Sequence, residues 1–309
     1  QMTRTASLKA FAKLNLGLRV LAKRPDGYHE LRTVFQTISL ADRLEVRLTP
    51  SRTSGVTVFS TPEIAENLVE KTCRIAMQAL KISAKIELHL EKLIPTGAGL
   101  GGGSSDAAAV LLTVPVLAGK RVCMEQLLEL AAQLGSDVPF FLRGGTALGL
   151  GRGEELYPLP DAPASRALLV APDVHSSTAD AYRDLSAGLT PATLPSKLSS
   201  FQQQTWNPAA QFANDFESVI FARHPELARI KKRLLRLGAS KAVMTGSGSA
   251  IFGVFNNPEQ LLKAREGFAE AKTYPITFLN RARYRSSWLR ALQPHVKGDQ
   301  WPPQSLYAQ

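Results

Sequence analysis

Residues 95–106 read Pro95-Thr-Gly-Ala-Gly-Leu-Gly-Gly-Gly-Ser-Ser-Asp106, so five glycines (Gly97, Gly99, Gly101, Gly102 and Gly103) fall within seven positions. Such a run is entropically poor for a packed element, and an ordinary turn needs only one or two glycines. It fits a backbone that must approach a ligand closely. Ser104, Ser105 and Asp106 are good helix N-caps, and the Ala-rich run after them is a strong helix former. A glycine loop entering a helix N-terminus makes an anion site, because free N–H groups and the positive dipole end meet at one spot. Phosphate is the anion that suits it. No Gly-Lys-Ser/Thr follows, which excludes a Walker loop. The alternating, half-exposed strand Ile86–Ile94 ahead of the loop is also a poor opening strand for a dinucleotide fold.

Four other places carry polar residues in telling positions. Lys13 and Asn15 alternate with Ala12, Leu14 and Leu16, so a strand here points both from one face, toward a ligand or toward solvent. Pro25-Asp26-Gly27 is a tight-turn signal, and Tyr28 and His29 follow it. They form either a packed hairpin tip or an aromatic face with hydrogen-bonding groups for a base. Asp137 stands between a helix stop at Gly135 and Pro139, in an otherwise apolar stretch. It either caps a short helix or is a carboxylate held near the phosphate loop. Thr245-Gly246-Ser247-Gly248-Ser249 joins two strands, as a tight hairpin or as an oxyanion contact.

Taken in order, these motifs resemble the GHMP small-molecule kinases, the family of galacto-, homoserine, mevalonate and phosphomevalonate kinases. Pro95–Ser105 resembles the family's ATP-phosphate loop. Ala12-Lys-Leu-Asn-Leu16 is similar to its first motif, Gly135-Ser-Asp-Val-Pro139 to its catalytic-aspartate motif, and Thr245–Ser249 to its third motif. Asp26-Gly-Tyr-His29 resembles the cytidine-binding turn of members that act on a cytidine diphosphate-linked methylerythritol, and it sets the chain apart from homoserine and mevalonate kinases. The resemblance spans about residues 8–280. There are two departures: Ser247 stands where a second threonine is common, and Asp106 where Asn is frequent.

The resemblance implies an α+β chain of two domains. The N-terminal one would be like the second domain of ribosomal protein S5 and the C-terminal one ferredoxin-like. The implied reaction moves the γ-phosphoryl group of ATP to the 2-hydroxyl of the cytidine-linked alcohol in isoprenoid precursor synthesis. Asp137 would be the general base and Lys13 the cation beside it. Pro95, Thr96, Gly97, Ala98, Gly99, Leu100, Gly101, Gly102, Gly103, Ser104 and Ser105 would surround the ATP phosphates. Mg²⁺ would bridge those phosphates, with Ser104 as a candidate ligand. Asn15, Tyr28, His29, Thr245, Gly246 and Ser247 would bind the acceptor, and Tyr182 would be the second aromatic of a stack around the base.

The elements that must hold these residues follow from periodicity. Strands are expected at 6–21, 31–40, 42–48, 55–59, 86–94, 146–150, 166–171, 241–244 and 251–255. Helices are expected at 67–79, from Ser105 with a bend near Pro115, and at 124–134, 176–185, 225–237 and 258–271. The proline- and alanine-rich stretch near 159–163 divides the chain into 1–160 and 161–285, with 286–309 a disordered tail and 186–208 a long loop. A length of 309 residues with 44% hydrophobic residues is enough for a real core. Cys73 and Cys123 each read as a buried thiol in a reducing compartment. No window approaches a membrane span, and the basic first residues already carry patterned chain, so a cytoplasmic enzyme is expected. The net charge of +11 gathers partly at Lys231–Arg236 and Arg281–Arg290. No aromatics interleave the first cluster, so solvated helix faces are favoured over a nucleic-acid surface.

Overall fold

The structure, a computed structural model, describes residues 2–64, 67–187 and 212–308. Two long antiparallel strands form its spine: β1 (Arg4–Lys23) and β2 (His29–Pro50), joined by the turn at Arg24–Tyr28. The alternation of apolar and polar residues sets the strand period, but β1 slips register between Phe11 and Lys13 and again between Asn15 and Gly17. Such irregularities re-aim side chains locally, and they fall where Lys13 and Asn15 stand. β2 runs unbroken through Ala41, where two strands were expected.

After β2 come β3 (Gly55–Thr61), α1 (Leu68–Ala79), β4 (Ala84–Glu91), α2 (Gly102–Ala118), α3 (Met124–Ala132), α4 (Val138–Arg143), β5 (Thr146–Gly151) and β6 (Glu155–Pro158). The first sheet has the order β3-β4-β2-β1-β8, with β5 added on β2 and β6 on β5. Here β8 is the two-residue strand Ala213–Asn214, which returns from the second half of the chain to pair with β1. α2 is buried on every side from Ser105 to Leu117, as its Ala, Val and Leu content requires, and it continues through Pro115 to Ala118.

The second half contributes β7 (Arg166–Ala171), α5 (Thr178–Ala187), α6 (Glu217–Arg223), α7 (Pro225–Arg236), β9 (Lys241–Met244), β10 (Ile251–Phe255), α8 (Pro258–Glu266) and β11 (Lys272–Thr277). Its four strands are antiparallel in the order β11-β7-β10-β9, the ferredoxin-like arrangement. One face packs on the helices through Leu168, Val170, Leu227, Leu234 and Phe268. The other face meets the first sheet and the glycine loop through Leu14, Leu16, Ile38, Leu100, Leu169 and Phe252. The two layers therefore share an apolar core.

Three expectations need correction. The C-terminal segment is not disordered. α9 (Arg281–Leu292) returns to the first domain and buries Tyr284, Trp288 and Leu292 in its core. The chain beyond it is tied down as well: Trp301 Nε1 donates to Leu142 O at 2.9 Å, Ser305 Oγ donates to Val116 O at 2.6 Å, and the Arg4 guanidinium lies 3.7 Å over the Tyr307 ring. Prolines and glutamines suggested a loose tail, yet its large aromatics carry enough apolar surface to order it. Cys73 is buried, and burial pushes its thiol up to about 12, but Cys123 is exposed at the head of α3. Thirdly, α2 begins at Gly102 with Gly101 as its cap residue, so Ser104, Ser105 and Asp106 lie in its first turns and do not cap it. Of the loop expected at 186–208, Ser186 and Ala187 end α5, and the rest lies outside the described residues.

Candidate active site

The glycine loop folds back on the protein with its carbonyls turned inward. Ala98 O accepts from Ala250 N–H, Gly99 O from the Thr245 hydroxyl, Leu100 O from Lys13 N–H and Gly101 O from Ser105 N–H. Gly97, Gly99 and Gly101 have φ of +70°, +78° and +69°, which L side chains rarely adopt. The N–H groups of Gly102, Gly103 and Ser104 open α2 and have no partner within the helix, so they are available to an anion. Space is open above Gly103. Ser104 lines the neighbouring cleft, whereas the Ser105 hydroxyl is buried and bonded to Phe11 O at 2.7 Å. Asp106 is buried behind the loop and one of its oxygens has no partner. Burial pushes its carboxyl up to about 7, against the pull of Lys92.

Lys13 and Asn15 emerge from β1 into the same place. The Lys13 ammonium donates to Asn15 Oδ1 at 2.5 Å, lies 3.6 Å from Asp137 Oδ2 and sits 5.4 Å over the Phe35 ring. Burial lowers its pKa, opposed by the charge of Asp137. Asp137 occupies the cap position of α4, yet its side chain makes no cap hydrogen bond. Its carboxylate is about one-third exposed and points to Lys13. Gly101 separates the two elements that bring this pair together: a Cβ there would lie 2.9 Å from the Phe141 ring of α4 and 3.2 Å from Lys13 Cγ.

The third motif is a hairpin between β9 and β10 that packs straight onto the glycine loop. The Thr245 hydroxyl is buried and accepts from Asn15 N–H at 3.0 Å. Gly246 has φ +58° and lies against Gly99. Ser247 Oγ reaches Thr178 Oγ1 at 2.7 Å, and Ser247 O accepts from Ser176.

Lys13, Asn15, Gly99, Gly101, Ser104, Asp137, Gly246 and Ser247 line one cleft of about 1120 Å³ between the two halves of the chain, whereas Thr245 and the remaining residues of the glycine loop lie outside its lining. At its far side Tyr28 projects from the turn, 55% exposed, with the Arg152 guanidinium 4.8 Å from its ring. His29 is largely buried and its ring stacks on Tyr182, centroids 4.8 Å apart. Burial and the charge of Lys23 hold the imidazole below its usual pKa. Tyr182 also meets Phe216 edge-on, so part of its ring is occupied within the protein. Sequence reasoning missed Thr33, Phe35, Arg152, Arg183 and Phe216, all of which line this cleft. Positive charge exceeds negative among the described lining residues: Lys13, Lys23, Arg152 and Arg183 against Asp137, with Arg152 also paired to Glu154 and Arg183 to Asp180. Such a field favours a multiply charged anion.

The chain is similar to known proteins. The chain matches the model of the GHMP kinases N terminal domain over residues 67–145 and that of the GHMP kinases C terminal over 198–272. It is 53% identical to the 4-diphosphocytidyl-2-C-methyl-D-erythritol kinase of Solibacter usitatus, over 99% of this chain and 98% of that protein. A crystal structure of 4-(cytidine 5'-diphospho)-2C-methyl-D-erythritol kinase superposes with a TM-score of 0.72 at 37% identity, covering 90% of this chain and 99% of the other. Homoserine kinase from Cytophaga hutchinsonii shares the fold, with a TM-score of 0.68 at 18% identity over 91% of this chain and 96% of that one.

Proposed function

The chain belongs to the family of 4-diphosphocytidyl-2-C-methyl-D-erythritol kinases, within the GHMP kinases, and from that membership we propose how its own residues carry out the reaction. The activity is transfer of the γ-phosphoryl group of ATP to the 2-hydroxyl of the cytidine-linked methylerythritol. The observation that carries the assignment is the Lys13–Asp137 pair, 3.6 Å apart and facing the glycine loop in one cleft.

The loop amides and the N-terminus of α2 hold the ATP phosphates. The acceptor hydroxyl lies between them and Asp137. As its oxygen bonds to the γ-phosphorus, the bond to the β-phosphate oxygen breaks, ADP leaves, and the hydroxyl proton passes to Asp137. An alcohol ionises far above neutral pH, so without a base the attack is slow. The Lys13 ammonium, held by Asn15, stabilises negative charge on the reacting oxygens. Tyr28 offers a ring face to the cytosine, and His29, steadied by Tyr182, stands at the base edge. Arg152 and Arg183 supply charge for the diphosphate of the acceptor. Ser104, which lines the cleft beside the glycine loop, together with the nucleotide phosphates would offer hard oxygen donors to Mg²⁺, which would neutralise phosphate charge there. No helix of the described residues is long and apolar enough to cross a membrane, and with free cysteines this supports a cytoplasmic setting.

A coupled assay of ADP release tests the reading with the cytidine-linked alcohol, homoserine and mevalonate as acceptors. Turnover is expected with the first alone. Asp137→Asn should lower kcat about 10²-fold or more with an unchanged Tm. Near-normal turnover in that variant removes Asp137 as the base.

A further inference from the structure

One stem of the glycine loop bonds directly to a buried carboxylate, and the other is tied to it through a lysine. Asp42, fully buried on β2, accepts N–H groups from Leu93 at 2.6 Å and Ile94 at 2.8 Å, the two residues before Pro95. Its other oxygen takes the Lys92 ammonium, and that ammonium also reaches Asp106 Oδ2 at 2.6 Å, just beyond the loop in α2. Side-chain exposure is 7% for Lys92 and 3% for Asp106. The ammonium lies against Gly102, where a Cβ would be 3.2 Å from Nζ. None of the three residues lines the cleft.

Burying three charges is a poor route to stability, since apolar residues of similar volume serve as well or better. Their placement has another physical consequence. A loop with five glycines has many conformations, and its N–H groups bind an anion well only if they are already aimed. Fastening the strand before the loop and the helix after it to one post fixes the span the loop must close, which removes much of that freedom.

We propose that Asp42, Lys92 and Asp106 are positioning residues that set the geometry of the phosphate loop, and so control ATP affinity without touching ATP. The proposal rests on the reading of Pro95–Ser105 as the ATP loop. Asp42→Ala removes the acceptor for the loop stem and the partner of Lys92, whereas Asp42→Asn keeps an acceptor oxygen. Asp106→Ala and Asp106→Asn form a second pair that leaves the β2 post intact.

Steady-state kinetics with each substrate varied, together with Tm, tests this. Each alanine variant should raise KM for ATP about tenfold or more, with KM for the acceptor within about twofold and kcat at saturating ATP largely retained. Each asparagine variant should recover part of the loss. Should Asp42→Ala not fold, the Asp106 pair decides alone. A lower Tm with KM for ATP unchanged, or equal rises in both KM values, overturns the proposal. An unaltered enzyme that neither binds nor uses ATP defeats the reading of the loop itself; an active one indifferent to these variants defeats only the positioning array.

Discussion

Tyr28 is held rather than loose, despite its exposure. Its N–H donates to Asp26 Oδ1 at 3.1 Å, and Arg24 N–H closes the turn on Tyr28 O at 2.7 Å. A ring presented by a stiff turn loses little freedom when a base stacks on it. Base–aromatic stacking is worth about 1–3 kcal/mol. Tyr28→Ala should therefore raise KM for the cytidine substrate about ten- to a hundredfold and leave KM for ATP near its normal value. Initial rates with each substrate varied in turn check this, and equal weakening of both would place the ring outside the base site. At this scale much was legible, because Lys13, Asn15, Tyr28 and Asp137 are aimed by short-range rules of strand alternation and turn chemistry. Arg152 was not. It reaches the Tyr28 ring only because β5 pairs with β2 and carries the Gly151–Glu154 turn with it, a pairing between residues more than a hundred positions apart. Tyr182 was expected to be the second aromatic of the stack around the base, and only the packed structure reveals that His29 and Phe216 lie against it.

The elements meet most tightly where the two glycine-rich loops cross. A Cβ on Gly99 would lie 2.3 Å from Thr245 O, and φ there is +78°. The obstacle is backbone, which cannot turn aside as a side chain can. Gly99→Ala should thus displace the ATP loop and raise KM for ATP by at least about tenfold, an effect beyond the cost of a strained φ alone. Gly103→Ala, at a non-helix-breaking site with open space above it, is the comparison: in the free protein it should fold with an unchanged Tm. Thermal melts and ATP titration of the two variants separate the cases. Most elements were visible in the sequence, β9 and β10 to the residue. The start of α2 was misplaced because propensity disfavours glycine in a helix. Tertiary bonds override it: Ser105 to Phe11 and Asp106 to Lys92 hold the first turns in place.

Across the whole molecule, the C-terminal segment acts as a brace on the first domain. Trp301 ties to Leu142 at the end of α4, the helix headed by Asp137, while Tyr284 OH donates to Phe141 O beside it. Trp301→Ala removes a partly buried ring and leaves that carbonyl unpaired. The expected cost is about 2 kcal/mol, seen as a Tm lower by a few degrees; an unchanged melt would show the segment to be dispensable. This return to the first domain was hidden in the sequence, since composition near the end is polar while the contacts it makes are with residues 4, 116 and 142. The crossing of the loops has a consequence for how such a chain can change over generations. With no room for a methyl group between Gly99 and Thr245, the halves on either side of the Pro158–Arg166 connection cannot diverge independently. A substitution in one loop survives only against a matching backbone in the other. Recombination between distant relatives at that connection would therefore mismatch the nucleotide site even where both parts still fold, so selection acts on the two loops as one inherited unit.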